Sequence, residues 1–431
     1  MLNIIIPDPG LREYGGHHPA MINAIANTQA VIKGDMHLEV YCNKACANDF
    51  ITATQTKQVT IKKHFTTDFY QYFYQSPSLA TLNGYINQLS KEYLTVFEQH
   101  ASSEEQGKVS EKNNKTLFLY HTLNWEHAIA LGSAIAIYNK RHNTPLHHCV
   151  FLMFNPIKYN EKGELNNQHF LNFKLGFSLL AKQKFVQYYA AEEELQQSYH
   201  YLFTGKNFTD NHFTGETNHQ QNNKVIPIHP CGLLSQYNNK VKKVKRVILF
   251  TGDAKVNKGF LTLPDLVGKI IQEITDSDVE FVIQYTITND GAALKQTDNS
   301  LQLLAKADSR IKLTTRFWSH SELHENFAKA NSILFNYDSL IYKNQSSGIL
   351  WLAASYHLNM VFLTSNWLMR EADKLDCHYS YCSKNVFSQK TYKYLMQNSN
   401  VFDKVSGNNY RKQLFQDIGG WLLKTSMNIR S

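Results

Sequence analysis

The stretch NSILFNYDSLIYKNQSSGILWLAASYHLNMVFLT, residues 331–364, decides how the chain is read. An apolar run at 332–335 predicts a buried strand, and the polar segment after it carries Tyr337, Asp338, Tyr342 and Lys343. Ser346-Ser347-Gly348 then opens an apolar helix, and a second apolar run follows at 360–363, so the order is strand, loop, helix, strand. In a parallel sheet of this kind ligands bind beyond the carboxyl ends of the strands, where the 336–348 loop belongs. Small residues at a helix start leave backbone N–H groups and the positive end of the helix dipole accessible to an anion. A phosphate site is the expectation.

The remainder of the chain repeats the pattern. With 431 residues it is too long for one ordinary core, and 43% hydrophobic against 19% charged residues is a globular balance. Strands are expected at 2–7, 37–42, 59–62, 116–120, 147–154 and 185–189, with helices between them at about 20–31, 79–97, 125–138 and 170–181 and one opening at Glu192-Glu193-Glu194. A further strand at 225–229 leads to a polar segment bearing Lys240, Lys242, Lys243 and Lys245, and the β/α alternation restarts at 246–250. Beyond it, strands are expected at 279–285, 311–317, 333–335 and 361–363, and a helix at about 264–274. The expected organisation is α/β: a first domain over 1–232, a basic linker over 233–245, a second domain over 246–405, and a helical tail over 406–431. The tail's apolar stripe of Leu414, Ile418, Trp421 and Leu422 is suited to packing across the domains.

Charge and cysteine content bound the partners. A net charge of +8 suits an anionic substrate, nucleic acid or an acidic membrane face, and a mildly basic surface accounts for it equally well. Nucleic acid is the weakest of these, because the 240–245 lysines form one short cluster outside any recognised module. The six cysteines, at 42, 46, 149, 231, 377 and 382, have neither a CxxC framework nor a zinc spacing and read as reduced thiols. The first residues form an apolar strand without a basic leader, and no window reaches the roughly 18 apolar residues of a membrane span. A cytoplasmic protein is expected, with peripheral contact at the inner face of the membrane.

The second half resembles the nucleotide-sugar domain of GT-B glycosyltransferases, in particular the large retaining family of bacterial polysaccharide enzymes. The residues that carry the likeness are Ile226-Pro227-Ile228-His229-Pro230 leading to the strand at 246–250, the loop from Gly252 to Lys258-Gly259, the phrase Phe317-Trp318-Ser319-His320-Ser321-Glu322-Leu323, and the 331–364 stretch. The resemblance implies two Rossmann-like domains facing a cleft, the first on the acceptor side and the second holding the donor. It implies transfer of a sugar from a nucleotide-sugar to a glycan or lipid-linked acceptor, with retention and without a metal. The two family glutamates that grip sugar and ribose fall on Gln345 and Ala353, and the family's basic residue after the first glycine is Asp253 here. Phosphate charge is thereby left to Lys258, helped by Lys255.

Negative charge develops on the departing phosphate as a glycosidic bond breaks, so a cation and N–H donors are required there. Lys258 with Ser346, Ser347 and Gly348 supplies both; each alone also reads as a surface lysine or a capped helix. Tyr337, Asp338, Tyr342 and Gln345 would line the sugar, and Trp318 would stack on the base, with turn chemistry and ordinary packing as the alternatives. In the first domain, His121 directly follows a strand where the family places a histidine facing the donor sugar. Gly15 and Gly16 would let backbone N–H groups approach its phosphate, although a tight turn explains them nearly as well. His17-His18 read as polar loop residues ahead of metal or substrate ligands. No Asp-x-Asp pair lies between strands as a metal-dependent transferase requires, so neither metal nor cofactor is expected; the nucleotide-sugar is a substrate. A nucleotide-sugar epimerase and a catalytically degenerate binding protein share this architecture and are the alternatives.

Overall fold

The structure, a computed structural model, describes residues 1–12, 17–72, 77–105, 115–160, 162–205, 224–225, 246–276, 278–287, 291–382, 389–396 and 418–427. The chain forms two compact units. The first comprises Met1–Lys158, Asn166–Ile228 and Gln416–Ser431; the second comprises Tyr159–Leu165 and His229–Phe415. The expected linker at 233–245, most of the strand at 225–229 and the 406–417 part of the tail lie outside the described residues.

In the first unit the strands are β1 (Leu2–Asp8), β2 (Met36–Asn43), β3 (Val59–Phe65), β4 (Lys115–Tyr120), β5 (His147–Leu152), β6 (Val186–Ala190) and β7 (Lys224–Val225). They form one sheet in the order β3-β2-β1-β4-β5-β6-β7, and all its pairings are parallel. Its helices are α1 (His17–Ala26), α2 (Gln29–Ile32), α3 (Asn48–Thr54), α4 (Leu79–Glu105), α5 (Trp125–Arg141), α6 (Asn167–Ala181) and α7 (Glu193–Thr204). A parallel sheet has helices on both faces and its strands are buried on both, which is why β1 and β5 read as near-continuous apolar runs. Tyr93 and Phe97 of α4 pack edge-on against Tyr120 and Phe118 of β4, and Tyr138 of α5 packs edge-on against Phe97. The contact of α5 with α6 depends on Gly176, whose added Cβ would stand 2.4 Å from the carbonyl oxygen of Trp125.

The second unit repeats the topology. Its strands are β8 (Arg246–Asp253), β9 (Val279–Thr286), β10 (Ile311–Thr314), β11 (Ser332–Phe335), β12 (Asn359–Phe362) and β13 (Tyr379–Tyr381), parallel in the order β10-β9-β8-β11-β12-β13. Its helices are α8 (Leu263–Glu273), α9 (Ala292–Ala307), α10 (His320–Lys329), α11 (Gly348–Ser355), α12 (Trp367–Lys374) and α13 (Gln389–Leu395). A last helix, α14 (Ile418–Met427), belongs to the first unit, where Trp421 meets Phe151 and Tyr189.

Several boundaries differ from the sequence reading. β8 continues to Asp253 rather than ending at Phe250, because its ladder with β9 runs on from Thr251↔Gln284 to Asp253↔Thr286. The Thr251 hydroxyl also donates to Gln284 at 2.6 Å. β10 stops at Thr314, short of the expected 317, and Phe317 is exposed. The first helix begins at His17 and breaks before a separate turn at Gln29–Ile32, while α4 extends to Glu105. Among the described residues no helix is long and apolar enough to cross a membrane. The five described cysteines are free thiols.

In each sheet the chain reverses its winding direction between two central strands, β1 and β4 in one and β8 and β11 in the other. Open α/β sheets leave a crevice at such a switch point, beyond the carboxyl ends of those strands. The chemistry-bearing residues collect at these two places.

Candidate functional site

At the switch point of the second unit, β8 ends in Gly252 and Asp253, and a short 3-10 turn, Val256–Lys258, turns the chain back over that end. The Lys258 ammonium lies above Gly252, 2.9 Å from where a Cβ would stand, and 5.9 Å from the centre of the Tyr337 ring. Gly259, at φ +74°, sits so close to the loop after β11 that a Cβ there would come within 2.0 Å of the Asn336 carbonyl oxygen. Asn336 donates from its side-chain amide to the Gly259 carbonyl and the Thr262 hydroxyl, and the Asp338 N–H donates to the Asn257 carbonyl. Two loops far apart in sequence are thus held as one surface.

Tyr337 is buried and places its hydroxyl 3.3 Å from that of Ser347. Ser347 is the N-cap of α11, yet its side chain makes no capping hydrogen bond. The buried Tyr342 ring packs 4.5 Å from Tyr337, and burial pushes its phenol well above the usual range. Lys258, Tyr337, Tyr342, Ser347 and Gly348 are therefore contiguous. The remaining candidates are occupied differently. Asp338 accepts from the N–H groups of Leu340 and Ile341, which is turn chemistry. Lys255 is ion-paired with Asp253 at 2.8 Å. Trp318 packs half-buried against the unit's core, and Gln345 and Ser346 are half-buried in the turn before α11.

At the switch point of the first unit, Asp8 ends β1 and His121 directly follows β4. The Asp8 carboxylate accepts from the Gly10 N–H at 2.9 Å. One of its oxygens lies 2.8 Å from Nδ1 of His18, on the first turn of α1, and the other 2.9 Å from Nε2 of His121. The far nitrogens are also engaged, His18 Nε2 by the Tyr70 hydroxyl and His121 Nδ1 by the Thr122 hydroxyl, each at 3.0 Å. Burial favours the neutral acid of Asp8, but the two imidazoles and their hydrogen bonds outweigh it and hold the carboxyl far below the usual carboxylate range.

Beside this network α5 opens with two buried titratable groups. Glu126 takes one hydrogen bond from the Asn124 amide at 2.9 Å, while its Oε2 has no hydrogen-bond partner among the described residues. Burial raises it to about 7, against the smaller opposing effects of backbone N–H, Asn124 and Lys158. His127 is stacked on Phe69 and bonded to the Tyr85 hydroxyl at 2.9 Å; burial first, then His18, lowers it to about 3. Such a set can fix a histidine tautomer and exchange a proton near neutral pH.

Gly15 and Gly16 lie outside the described residues. The sequence pattern does not single out Asp8, Glu126 or His127, and it places His18 in a polar loop, whereas the structure puts it on the first turn of α1. One signal did exist for Asp8: a carboxylate that ends an apolar strand just before a Pro-Gly turn.

No family model and no curated protein matches the sequence. Solved structures do match. They include a UDP-GlcNAc 2-epimerase from Methanocaldococcus jannaschii, at TM-score 0.56 and 13% identity over 99% of each chain. A UDP-GlcNAc 2-epimerase from Neisseria meningitidis, bound to UDP-GlcNAc, matches at TM-score 0.55 and 12% identity over 99% of this chain and 100% of the other. An α,α-trehalose-phosphate synthase (UDP-forming) from Burkholderia vietnamiensis matches at 0.56 and 8%, again over 99% and 100%. At these identities the likeness is one of fold, and the fold of this chain is that of the GT-B enzymes, two Rossmann-like α/β units in succession.

Proposed function

We propose that the chain is a glycosyltransferase that moves a sugar from a nucleotide-sugar donor to a glycan or lipid-linked acceptor, in the synthesis of a bacterial surface polysaccharide or glycoconjugate. The observation that carries this reading is the Lys258 ammonium, held over the Gly252 backbone and beside Tyr337 at the start of α11. In the reaction the bond from the anomeric carbon to the phosphate oxygen breaks, and the acceptor oxygen bonds to that carbon and loses its proton. Lys258 and the α11 N-terminus would take the charge that develops on the phosphate. The solved structures of like fold include a UDP-GlcNAc 2-epimerase bound to UDP-GlcNAc and a UDP-forming trehalose-phosphate synthase, which agrees with nucleotide-sugar use.

The test is a thermal-shift screen against UDP-, GDP-, TDP-, ADP- and CMP-sugars, with the wild type and Lys258→Ala. A ligand at 100 times its dissociation constant stabilises the native state by about 2.7 kcal/mol. One donor should raise Tm by several degrees in the wild type and not in the variant. If no donor shifts Tm, or Lys258→Ala shifts equally, the donor-site reading fails.

A nucleotide-sugar epimerase is the second reading, favoured by Glu126, whose buried Oε2 has no hydrogen-bond partner among the described residues and whose carboxyl is pushed up by burial to about 7, as suits a proton-abstracting base. Incubation in D2O without acceptor separates the two. Deuterium in a recovered, altered nucleotide-sugar supports the epimerase, and an acceptor-dependent product without it supports transfer.

A further inference from the structure

We propose that Asp8, His18 and His121 form a binding site for a divalent transition-metal ion of the zinc class. Each residue offers one ligand atom, and the three atoms lie within 4.8 Å of one another. Asp8 sits 2.8 Å from His18 Nδ1 and 2.9 Å from His121 Nε2. Zinc takes imidazole nitrogen and carboxylate oxygen at about 2.0–2.2 Å, so an ion at the centre of this group needs only small side-chain movements. The residues come from three separate elements, the end of β1, the first turn of α1 and the loop after β4. Rigid supports on three sides fix such a geometry better than one flexible loop.

The outer contacts favour the same conclusion. A ligating histidine characteristically bonds its other ring nitrogen to a neighbouring oxygen, which sets tautomer and ring orientation. Here Tyr70 does this for His18 and Thr122 for His121. A hydroxyl can donate or accept, so it suits both states. Without metal the ring proton sits on the nitrogen facing Asp8; with metal that nitrogen gives its lone pair to the ion, and the proton resides on the far nitrogen, donated to the hydroxyl. The side chains of all three are nearly sealed, with exposures of 3% for Asp8, 5% for His18 and 2% for His121, so competing solvent is kept away. Two imidazoles and one carboxylate are also the composition of sites that keep a position open for an exogenous ligand. In the sequence these residues are 10 and 113 positions apart, counted from Asp8, and no ligand spacing announces them.

The experiment uses the full-length, untagged chain stripped with chelator and titrated with Co2+ as a spectroscopic probe, followed by displacement with Zn2+. A visible d–d band saturating at one equivalent is expected, lost on adding Zn2+, with at least tenfold weaker affinity in His18→Ala and in His121→Ala. Tyr70→Phe, which leaves all three ligands in place, should weaken affinity by a smaller factor and keep the band. Absence of one-equivalent binding by the wild type, or unchanged affinity in His18→Ala and His121→Ala, overturns the proposal and leaves the three as a metal-free hydrogen-bonded network. The outcome is independent of the donor screen, since neither readout involves Lys258 or a nucleotide.

Discussion

Lys258 lies across Gly252, with its ammonium where a side chain on that glycine would have to go. Gly252 has φ +139°, a conformation that L-residues with a Cβ rarely adopt. Gly252→Ala is therefore expected to cost about 1–3 kcal/mol in backbone strain and to displace Lys258. A thermal melt should show a lowered Tm together with a weaker response to any stabilising donor. In the double variant with Lys258→Ala the clash with the ammonium is gone, so a Tm that returns to that of Lys258→Ala alone would mean the strain is absent.

Glu126 should make stability depend on pH. Burial raises its folded-state value to about 7 from an ordinary value of 4.5, so between these pH values the folded chain binds more protons than the unfolded one. Stability then falls as pH rises through that window and levels off above it, an effect of about 3 kcal/mol. Glu126→Gln keeps the shape and removes the titration. Melts at pH 5 and pH 8 should therefore differ less in the variant than in the wild type, and equal differences would place the Glu126 carboxyl in contact with water.

Two helix glycines with the same propensity should respond in opposite directions. Gly176 faces the Trp125 carbonyl, and an added Cβ at 2.4 Å from it must push α6 off α5. Overpacking of this kind costs about 1–3 kcal/mol. Gly84, on α4, is exposed and has nothing within 4 Å of an added Cβ, so Gly84→Ala should gain about 1 kcal/mol from helix propensity. Paired melts check both signs, and a neutral Gly176→Ala would refute the close approach of these helices.

The β/α alternation, the parallel sheets and the loop at 336–348 were legible because each is written in local pattern: an apolar run for a strand buried on both faces, small residues at a helix start, acidic residues at the start of α7. Lys258 and Tyr337 could be named for the same reason, since a glycine loop after one strand and a polar loop after another are local features. What they touch was not legible. That Lys258 covers Gly252, that Ser347 turns to Tyr337 and leaves the helix end uncapped, and that Lys255 is held by Asp253 depend on side-chain direction across strands. The Asp8, His18 and His121 group is the clearest case. Its members are an unremarked strand end, one half of a polar pair and a lone histidine, and they meet only because the sheet order sets β1 beside β4. Sequence by itself determined the strands and helices, through the periodicity of burial. Only the tertiary structure decided which polar side chains share one dry site, because hydrogen bonding and charge act over a few ångströms of space, whatever the distance along the chain.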